Sequence, residues 1–316
     1  MKRIVVSQKI NPKGLEVFGA DYDIVYPEGF TQEAFDTEVL TADAIVLRTN
    51  LKVKGEIIRA AKNLKVISRT GAGVDNVDLQ AAKESGVIVC NLPALNNIAV
   101  AEHTVAMLMT MAKSMPLLDS AVRNGTWAKT RNLNKPLELR GKTLGVVGLG
   151  AIGAEVARIC SMGLGMKILA YDPYAAPDKF KGYIETSDLM RVARESDFVT
   201  LHVPGMPATK GMINADFFAA MKPEAILVNC ARGMLIDEPA LIKTLKAGKI
   251  AGAAMDAFID EPLPEGHPLL TMDNVLLTPH AGALTKETVI RAAVEACSQV
   301  KDVLEGRTPP YALKIK

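Results

Sequence analysis

The sequence predicts an α/β fold of two doubly wound, parallel-sheet domains, and three observations carry that reading. Short β-branched or aliphatic runs alternate with stretches of helical periodicity along most of the chain, as in βαβ units, where a helix carries the chain back to start the next strand in parallel. The alternation stops at a polar passage and then restarts. At 316 residues and 49% hydrophobic composition, the chain exceeds what one compact domain usually holds.

The first series comprises Ile4-Val5-Val6, Ile45-Val46-Leu47, Val66-Ile67 and Val87-Ile88-Val89, with helical patterning at residues 56–62 and 79–85. A long apolar helix follows near residues 99–113, and the polar stretch 124–140 reads as a loop. The second series runs through Leu144 to Val147, Lys167 to Ala170, Phe198 to Leu201, Ala225 to Val228 and Val275 to Leu277. A last periodic stretch, residues 286–305, reads as a helix stopped by Gly306 before Pro309-Pro310. Its docking place is open from pattern alone.

Composition excludes several classes of partner. Lys plus Arg (37) nearly cancel Asp plus Glu (35), with no block of like charge, so nucleic acid and anionic membrane are not expected partners. Cys90, Cys160, Cys230 and Cys297 lie far apart without C-x-x-C or Cys/His ligand spacing. That predicts a reduced, cytoplasmic compartment and no metal site. The start, MKRIVVSQKI, turns polar too soon for a signal segment, and no apolar run approaches the roughly 20 residues that span a bilayer.

The chemistry starts at Gly148-Leu149-Gly150-Ala151-Ile152-Gly153, between an apolar strand and a helical pattern. Asp172 closes the next strand, 19 residues after Gly153, near the spacing expected of an acid that binds a ribose hydroxyl. The first glycine permits the turn, the second lets backbone approach a pyrophosphate, and the third lets helix pack on strand. Dinucleotide binding is therefore expected, with NAD favoured over NADP by the Asp172 carboxylate. Three polar residues stand at later strand ends: Arg232 in NCARG, Glu261 in DAFIDEP and His280 in PHAGA. A ketone-to-alcohol reduction needs this set, a cation for the substrate carboxylate and an imidazole acid oriented by a carboxylate. By contrast His103 and His202 read as packing or local hydrogen-bonding residues, and Met107, Met109 and Met111 as core or interface filler.

Five segments in order, RTGAGVDNVD, GLGAIG, NCARG, DAFIDEP and PHAGA, resemble the D-isomer-specific 2-hydroxyacid dehydrogenase family over essentially the whole chain. The resemblance implies two Rossmann-like domains: a discontinuous substrate domain, residues 1–96 and 285–316, and an NAD-binding domain, 97–284. It implies that Arg232 grips the substrate carboxylate, that His280 exchanges the proton and that Glu261 hydrogen-bonds His280. NAD would contact Gly148, Gly150, Ala151, Ile152, Gly153, Asp172, Cys230, Ala231, Arg232, Asp256, His280 and Gly282, with Asp256 on the nicotinamide amide.

The loop Gly71, Ala72, Gly73, Val74 would offer N–H groups to the substrate carboxylate, and Asn96 would mark the hinge. Arg48 and Arg69 would bind the substrate's carboxylate or phosphate. Ala72 and Ala99 stand where the family commonly has a small hydroxyl residue, so those contacts are expected to be missing. Within the family the D-3-phosphoglycerate dehydrogenases are most similar, in a short form without a regulatory domain. Rival readings are a hydroxypyruvate or glyoxylate reductase and, from another class, an NAD(H)-sensing corepressor-like protein. The expected partners are a small 2-hydroxy or 2-oxo acid and a second copy or more of the chain, as homodimer or homotetramer, with Trp127 resembling the family's dimer-arm tryptophan.

Overall fold

The computed structural model describes residues 1–133, 136–175 and 182–315. The chain divides into two compact units, Met1–Asn96 with Ala283–Lys316, and Asn97–Gly282. The second crossing thus falls two residues before the expected 284/285, just ahead of the Thr285 cap that starts the last helix.

The first unit is built on a five-stranded sheet of order β2-β1-β3-β4-β5, all pairs parallel. Its strands are β1 Lys2–Val6, β2 Tyr22–Val25, β3 Ala44–Leu47, β4 Val66–Arg69 and β5 Ile88–Cys90. Successive side chains alternate between faces. Val5, Ile45, Leu47, Ile67 and Val89 therefore enter one core, while Ile4, Val6, Ala44, Val46 and Val66 enter another. The second core is closed by the helix Lys286–Leu304, whose Ala292, Ala296, Cys297, Val300 and Leu304 recur at helical spacing and pack there. Thr285 Oγ1 accepts the Thr288 N–H at 3.1 Å to start that helix.

The second unit carries seven parallel strands in the order β12-β11-β10-β9-β6-β7-β8. They are β6 Thr143–Val147, β7 Lys167–Tyr171, β8 Ile184–Thr186, β9 Phe198–Leu201, β10 Ile226–Asn229, β11 Gly252–Met255 and β12 Val275–Leu277. Strand order reverses between β6 and β9, and ligands of open α/β sheets bind in the crevice at such a switch point, outside the carboxyl ends of the strands. The helix Asn97–Ala112 covers one face, with Ala101, Val105, Met107 and Leu108 packed among Leu144, Val146 and Val228.

The stretch 124–140 corrects the sequence reading, since it contains a helix, Trp127–Leu133. That helix is exposed at Trp127, Ala128, Lys129, Arg131 and Asn132, with Thr130 half-buried, so it shows no apolar stripe from which to recognise it; Asn134 and Lys135 of this stretch lie outside the described residues. Among the described residues no helix is long and apolar enough to cross a membrane.

Candidate active site

The turn after β6 shows why its glycines are glycines. Gly148 has φ +98°, a conformation that side chains other than hydrogen resist, and a Cβ there would stand 2.8 Å from the His202 carbonyl. A Cβ on Gly153 would lie 2.0 Å from the Gly148 oxygen, so the helix packs on the turn only without one. Gly150 differs: a Cβ there meets nothing within 4 Å, and as N-cap of the helix Ala151–Arg158 it supplies no side-chain acceptor. Gly150 therefore leaves the first-turn N–H groups without a side-chain cap, which suits a phosphate group. Asp172 braces the loop, its Oδ2 accepting the Leu149 N–H at 2.8 Å and its Oδ1 the Tyr174 N–H at 2.9 Å. His202 behaves as the sequence suggests: it bonds Thr200 at 3.0 Å, and burial pushes its imidazole down to about 3.

Three neighbouring strands deliver the remaining polar groups. The register pairs Asn229 with Met255 and Met255 with Leu277, so β10, β11 and β12 end level and their next residues emerge side by side. Beyond β11 lies Asp256, whose side chain is 3% exposed. Its Oδ1 accepts the Thr278 hydroxyl at 2.6 Å and the Ala281 N–H at 2.7 Å, and its Oδ2 the Gly282 N–H at 3.0 Å. His103 Nε2 lies 3.4 Å from the same Oδ1. Burial alone would raise this carboxyl, but the bonds from His103, Thr278, Ala281 and Gly282 outweigh it and hold Asp256 down to about 2.

Beyond β10, the buried Asn229 folds the turn: its Oδ1 accepts the Ala231 N–H at 3.0 Å and its Nδ2 donates to the Arg232 carbonyl at 2.9 Å. Arg232 follows, half-buried, with Nη1 donating to the Ala231 carbonyl at 2.8 Å. Gly233 presses this turn against the next loop, since a Cβ on it would stand 2.0 Å from the Phe258 carbonyl carbon. In that loop the Phe258 N–H donates to Glu261 Oε1 at 3.0 Å, and Glu261 Oε2 lies 2.7 Å from His280 Nδ1.

A carboxylate only accepts, so Nδ1 carries the proton and Nε2 is left for exchange with another molecule. The His280 and Glu261 side chains are 36% and 29% exposed, enough for a small molecule to reach them. Burial pulls the Glu261 carboxyl up, yet the His280 and Phe258 bonds and the nearby His280 and Arg232 charges hold it below the usual range. His280 itself sits at φ +53°, a strained conformation of the kind that functional positions tolerate.

His103, Cys230 and Asp256 each offer a ligand atom within 4.8 Å of the others. They form a polar cluster in which burial pushes the Cys230 thiol up to about 12 and the Asp256 carboxylate accepts Thr278, Ala281 and Gly282 with His103 Nε2 3.4 Å away.

In the first unit, Arg48 and Arg69 close the adjacent strands β3 and β4, where Leu47 pairs with Arg69. Arg48 Nη1 donates to the Lys9 carbonyl at 3.0 Å, Asn76 Nδ2 holds the Arg48 carbonyl at 2.9 Å, and Arg69 is 5% exposed. The carbonyls of Gly71 and Ala72 are taken by the Leu92 N–H and Asn91 Nδ2 at 3.0 and 2.7 Å. Because a trans peptide points its N–H opposite its carbonyl, the N–H groups of Ala72 and Gly73 face away from those partners. Asn96 keeps a buried Oδ1 without a hydrogen-bond partner among the described residues.

The sequence profile of the D-isomer specific 2-hydroxyacid dehydrogenase NAD binding domain matches residues 105–282. The chain belongs to this family. The unit Asn97–Gly282 contains its NAD-binding domain, and the two parallel-sheet units are the two Rossmann-like domains expected. A D-3-phosphoglycerate dehydrogenase from Methanocaldococcus jannaschii is 41% identical over 97% of this chain and 58% of its own length. One from Synechocystis is 40% identical over 100% and 56%. The chain thus spans little more than half the length of these curated relatives.

Among solved structures, the TT0316 protein from Thermus thermophilus superposes with a TM-score of 0.91 at 33% identity, covering 98% of this chain and 99% of that one. An NADPH-dependent glyoxylate/hydroxypyruvate reductase from Sinorhizobium meliloti gives 0.87 at 28%, covering 99% and 98%. Sequence reasoning gave Thr278 and Asn229 no role and read His103 as a packing or local hydrogen-bonding residue. Asn229 and Thr278 lie inside or beside quoted motifs, whereas nothing in the sequence joins His103 to Asp256, 153 positions away.

Proposed function

We propose that the chain is an NAD-dependent oxidoreductase that moves a hydride between NAD(H) and a small D-2-hydroxy acid or its 2-oxo partner, most closely 3-phosphoglycerate and phosphohydroxypyruvate. The observation that carries this is the 2.7 Å contact between His280 Nδ1 and Glu261 Oε2, on loops held against the strand end that bears Arg232. When bound, NADH supplies the hydride. Glu261 holds the ring so that His280 Nε2 delivers the proton to the carbonyl oxygen in reduction and removes it in oxidation. Arg232 offers its guanidinium to the substrate carboxylate and draws charge toward the carbonyl oxygen.

The helix-start N–H groups of Ala151 and Ile152 meet the pyrophosphate, Asp172 the ribose, Cys230 and Ala231 the cofactor's flank, and Asp256 Oδ2, which among the described residues accepts the Gly282 N–H alone, the nicotinamide carboxamide. The N–H groups of Gly71 to Val74 bind the substrate carboxylate, and Arg48 and Arg69 supply cations for a phosphate. Names of the relatives at 40–41% identity support the phosphorylated substrate. Four unpaired cysteines fit a cytoplasmic address. The exposed Met115, Leu117, Val122 and Trp127 support assembly with a second copy.

The test is NADH oxidation with phosphohydroxypyruvate, hydroxypyruvate, glyoxylate and pyruvate. The highest kcat/KM is expected with phosphohydroxypyruvate; preference for glyoxylate or hydroxypyruvate would favour the reductase reading, and NADH binding without turnover the sensor reading. NADPH should be poorer by on the order of a hundredfold, because a carboxylate about 4 Å from a 2′-phosphate costs a few kcal/mol at a surface-like dielectric. Equal use of both cofactors would remove Asp172 from the ribose.

Glu261→Gln tests the relay. Against its burial, the bonds from His280 and Phe258 and the nearby His280 and Arg232 charges hold the Glu261 carboxylate below the usual range, and a neutral amide gives up the charge-assisted hold on the ring. kcat for reduction should fall by about tenfold with NADH affinity unchanged; an unchanged kcat would take Glu261 out of the mechanism.

A further inference from the structure

His103 lies on the helix Asn97–Ala112, outside the strand ends that carry the proposed chemistry, yet its ring reaches their most buried charge. Thr278 Oγ1 lies 2.6 Å from Asp256 Oδ1, 3.2 Å from His103 Nε2 and 3.7 Å from Met107 Sδ. A hydroxyl has one proton to give. Were that proton drawn to His103, two lone-pair-bearing oxygens would face each other at 2.6 Å across Thr278 and Asp256, a repulsive contact in a site 3% exposed. The hydroxyl therefore donates to Asp256, and His103 must donate from Nε2 to Thr278 Oγ1, with Asp256 Oδ1 3.4 Å from the same nitrogen. With two hydrogen bonds and the His103 nitrogen on the Oδ1 side and, among the described residues, the Gly282 N–H alone on Oδ2, the acceptor direction left open belongs to Oδ2. Space there is guarded, since a Cβ on Gly282 would stand 3.1 Å from Oδ2 and 3.6 Å from the His103 ring.

We propose that His103 is a positioning residue of the cofactor site: its Nε2–H, given to Thr278 Oγ1 beside Asp256 Oδ1, holds the Thr278 hydroxyl on the Asp256 carboxylate and so fixes it for Oδ2 to receive the carboxamide N–H of nicotinamide. This rests on the reading of Asp256 as the carboxamide acceptor and adds what holds it there. Without the His103 donor, Asp256 keeps its charge but can rotate toward Thr278, and the nicotinamide end of the cofactor loses its fixed partner while the adenosine end does not.

The experiment compares NADH with ADP-ribose, which lacks nicotinamide, on the full chain. His103→Leu removes the donor, His103→Gln returns an N–H near the Nε2 position, and Asp256→Asn tests the acceptor. The expected result is a rise of about tenfold in the NADH Kd of His103→Leu, the scale of one charge-assisted hydrogen bond. ADP-ribose affinity should be unchanged, and His103→Gln should restore most of the loss. Equal losses for NADH and ADP-ribose would make His103 a merely structural residue and overturn the proposal. NADH binding kept in His103→Leu but lost in Asp256→Asn would overturn it while leaving the Asp256 reading intact; NADH binding kept in Asp256→Asn would overturn both.

Should His103→Leu fail to fold, ¹⁵N spectra of the wild-type histidines decide, with His103 assigned by the signal missing in His103→Gln. An Nε2-protonated ring perturbed by NADH and not by ADP-ribose is expected, and an Nδ1-protonated ring would refute the assignment.

Discussion

Replacing His280 by alanine is expected to lower kcat for 2-oxo acid reduction by about a hundredfold or more, with NADH affinity nearly intact. The asymmetry follows from where the side chain acts. The groups proposed to hold the cofactor, the glycine turn, Asp172 and Asp256, do not depend on the His280 imidazole: Asp172 bonds backbone N–H groups of its own loop, and Asp256 takes its partners from Thr278, Ala281, Gly282 and His103. His280, as the proposed proton donor, acts mainly in the transition state, and loss of a transition-state interaction appears in kcat rather than in ground-state binding. Steady-state rates together with NADH fluorescence titration separate the two. A kcat close to wild type would assign proton transfer to another group, and a collapse of NADH binding would make His280 a scaffold residue.

The second large effect is expected from a single added carbon. In Gly233→Ala the new Cβ would stand 2.0 Å from the Phe258 carbonyl carbon, 2.3 Å from the Ile259 nitrogen and 2.4 Å from the Phe258 oxygen. All three are backbone atoms and cannot rotate aside, so the loop that carries Glu261 must shift as a whole. A displacement of about 1 Å in a positioned catalytic group costs on the order of a hundredfold in rate, and overpacking a buried turn costs roughly 1–3 kcal/mol in stability. Both kcat and the thermal midpoint should therefore fall. Gly163→Ala is the control, because a Cβ there meets nothing within 4 Å and should leave both unchanged. If Gly233→Ala behaved like Gly163→Ala, the packing of the Arg232 turn on the 258–261 loop would not matter to the site.

Much of this arrangement is legible in the residues themselves. Strands made of β-branched runs, such as Ile4-Val5-Val6 and Phe198-Val199-Thr200-Leu201, stand out because both faces of a parallel sheet are buried. β11 does not, being Gly-Ala-Ala-Met. It is a strand because only small residues fit where a Cβ on Gly252 would meet the Asn274 carbonyl at 2.4 Å and the Met111 methyl at 2.7 Å, so tertiary packing overrides a weak local preference. The edge strands β2, Tyr-Asp-Ile-Val, and β8, Ile-Glu-Thr, have mixed polarity and few partners, and their signal is correspondingly faint. Among polar groups, those at strand ends announce themselves by interrupting apolar runs, as Asp256 does. His103 sits within the apolar helix that also holds Val105, Met107 and Leu108, where a histidine looks like packing until the sheet brings Asp256 to it.

The return of the last helix to the first sheet has a consequence for how the molecule is made. The face of that sheet carrying Ile4, Val6, Ala44, Val46 and Val66 is closed by residues of the helix Lys286–Leu304, and the whole unit Asn97–Gly282 lies between them in the chain. At translation speeds of roughly 5–20 residues per second, the intervening stretch takes on the order of ten to forty seconds to emerge from the ribosome. Throughout that interval the N-terminal sheet holds an uncovered apolar face, while the inserted unit, whose residues are contiguous, has everything it needs to fold. During synthesis the residues that close the core of the inserted unit are thus all present before those that close the core of the first sheet.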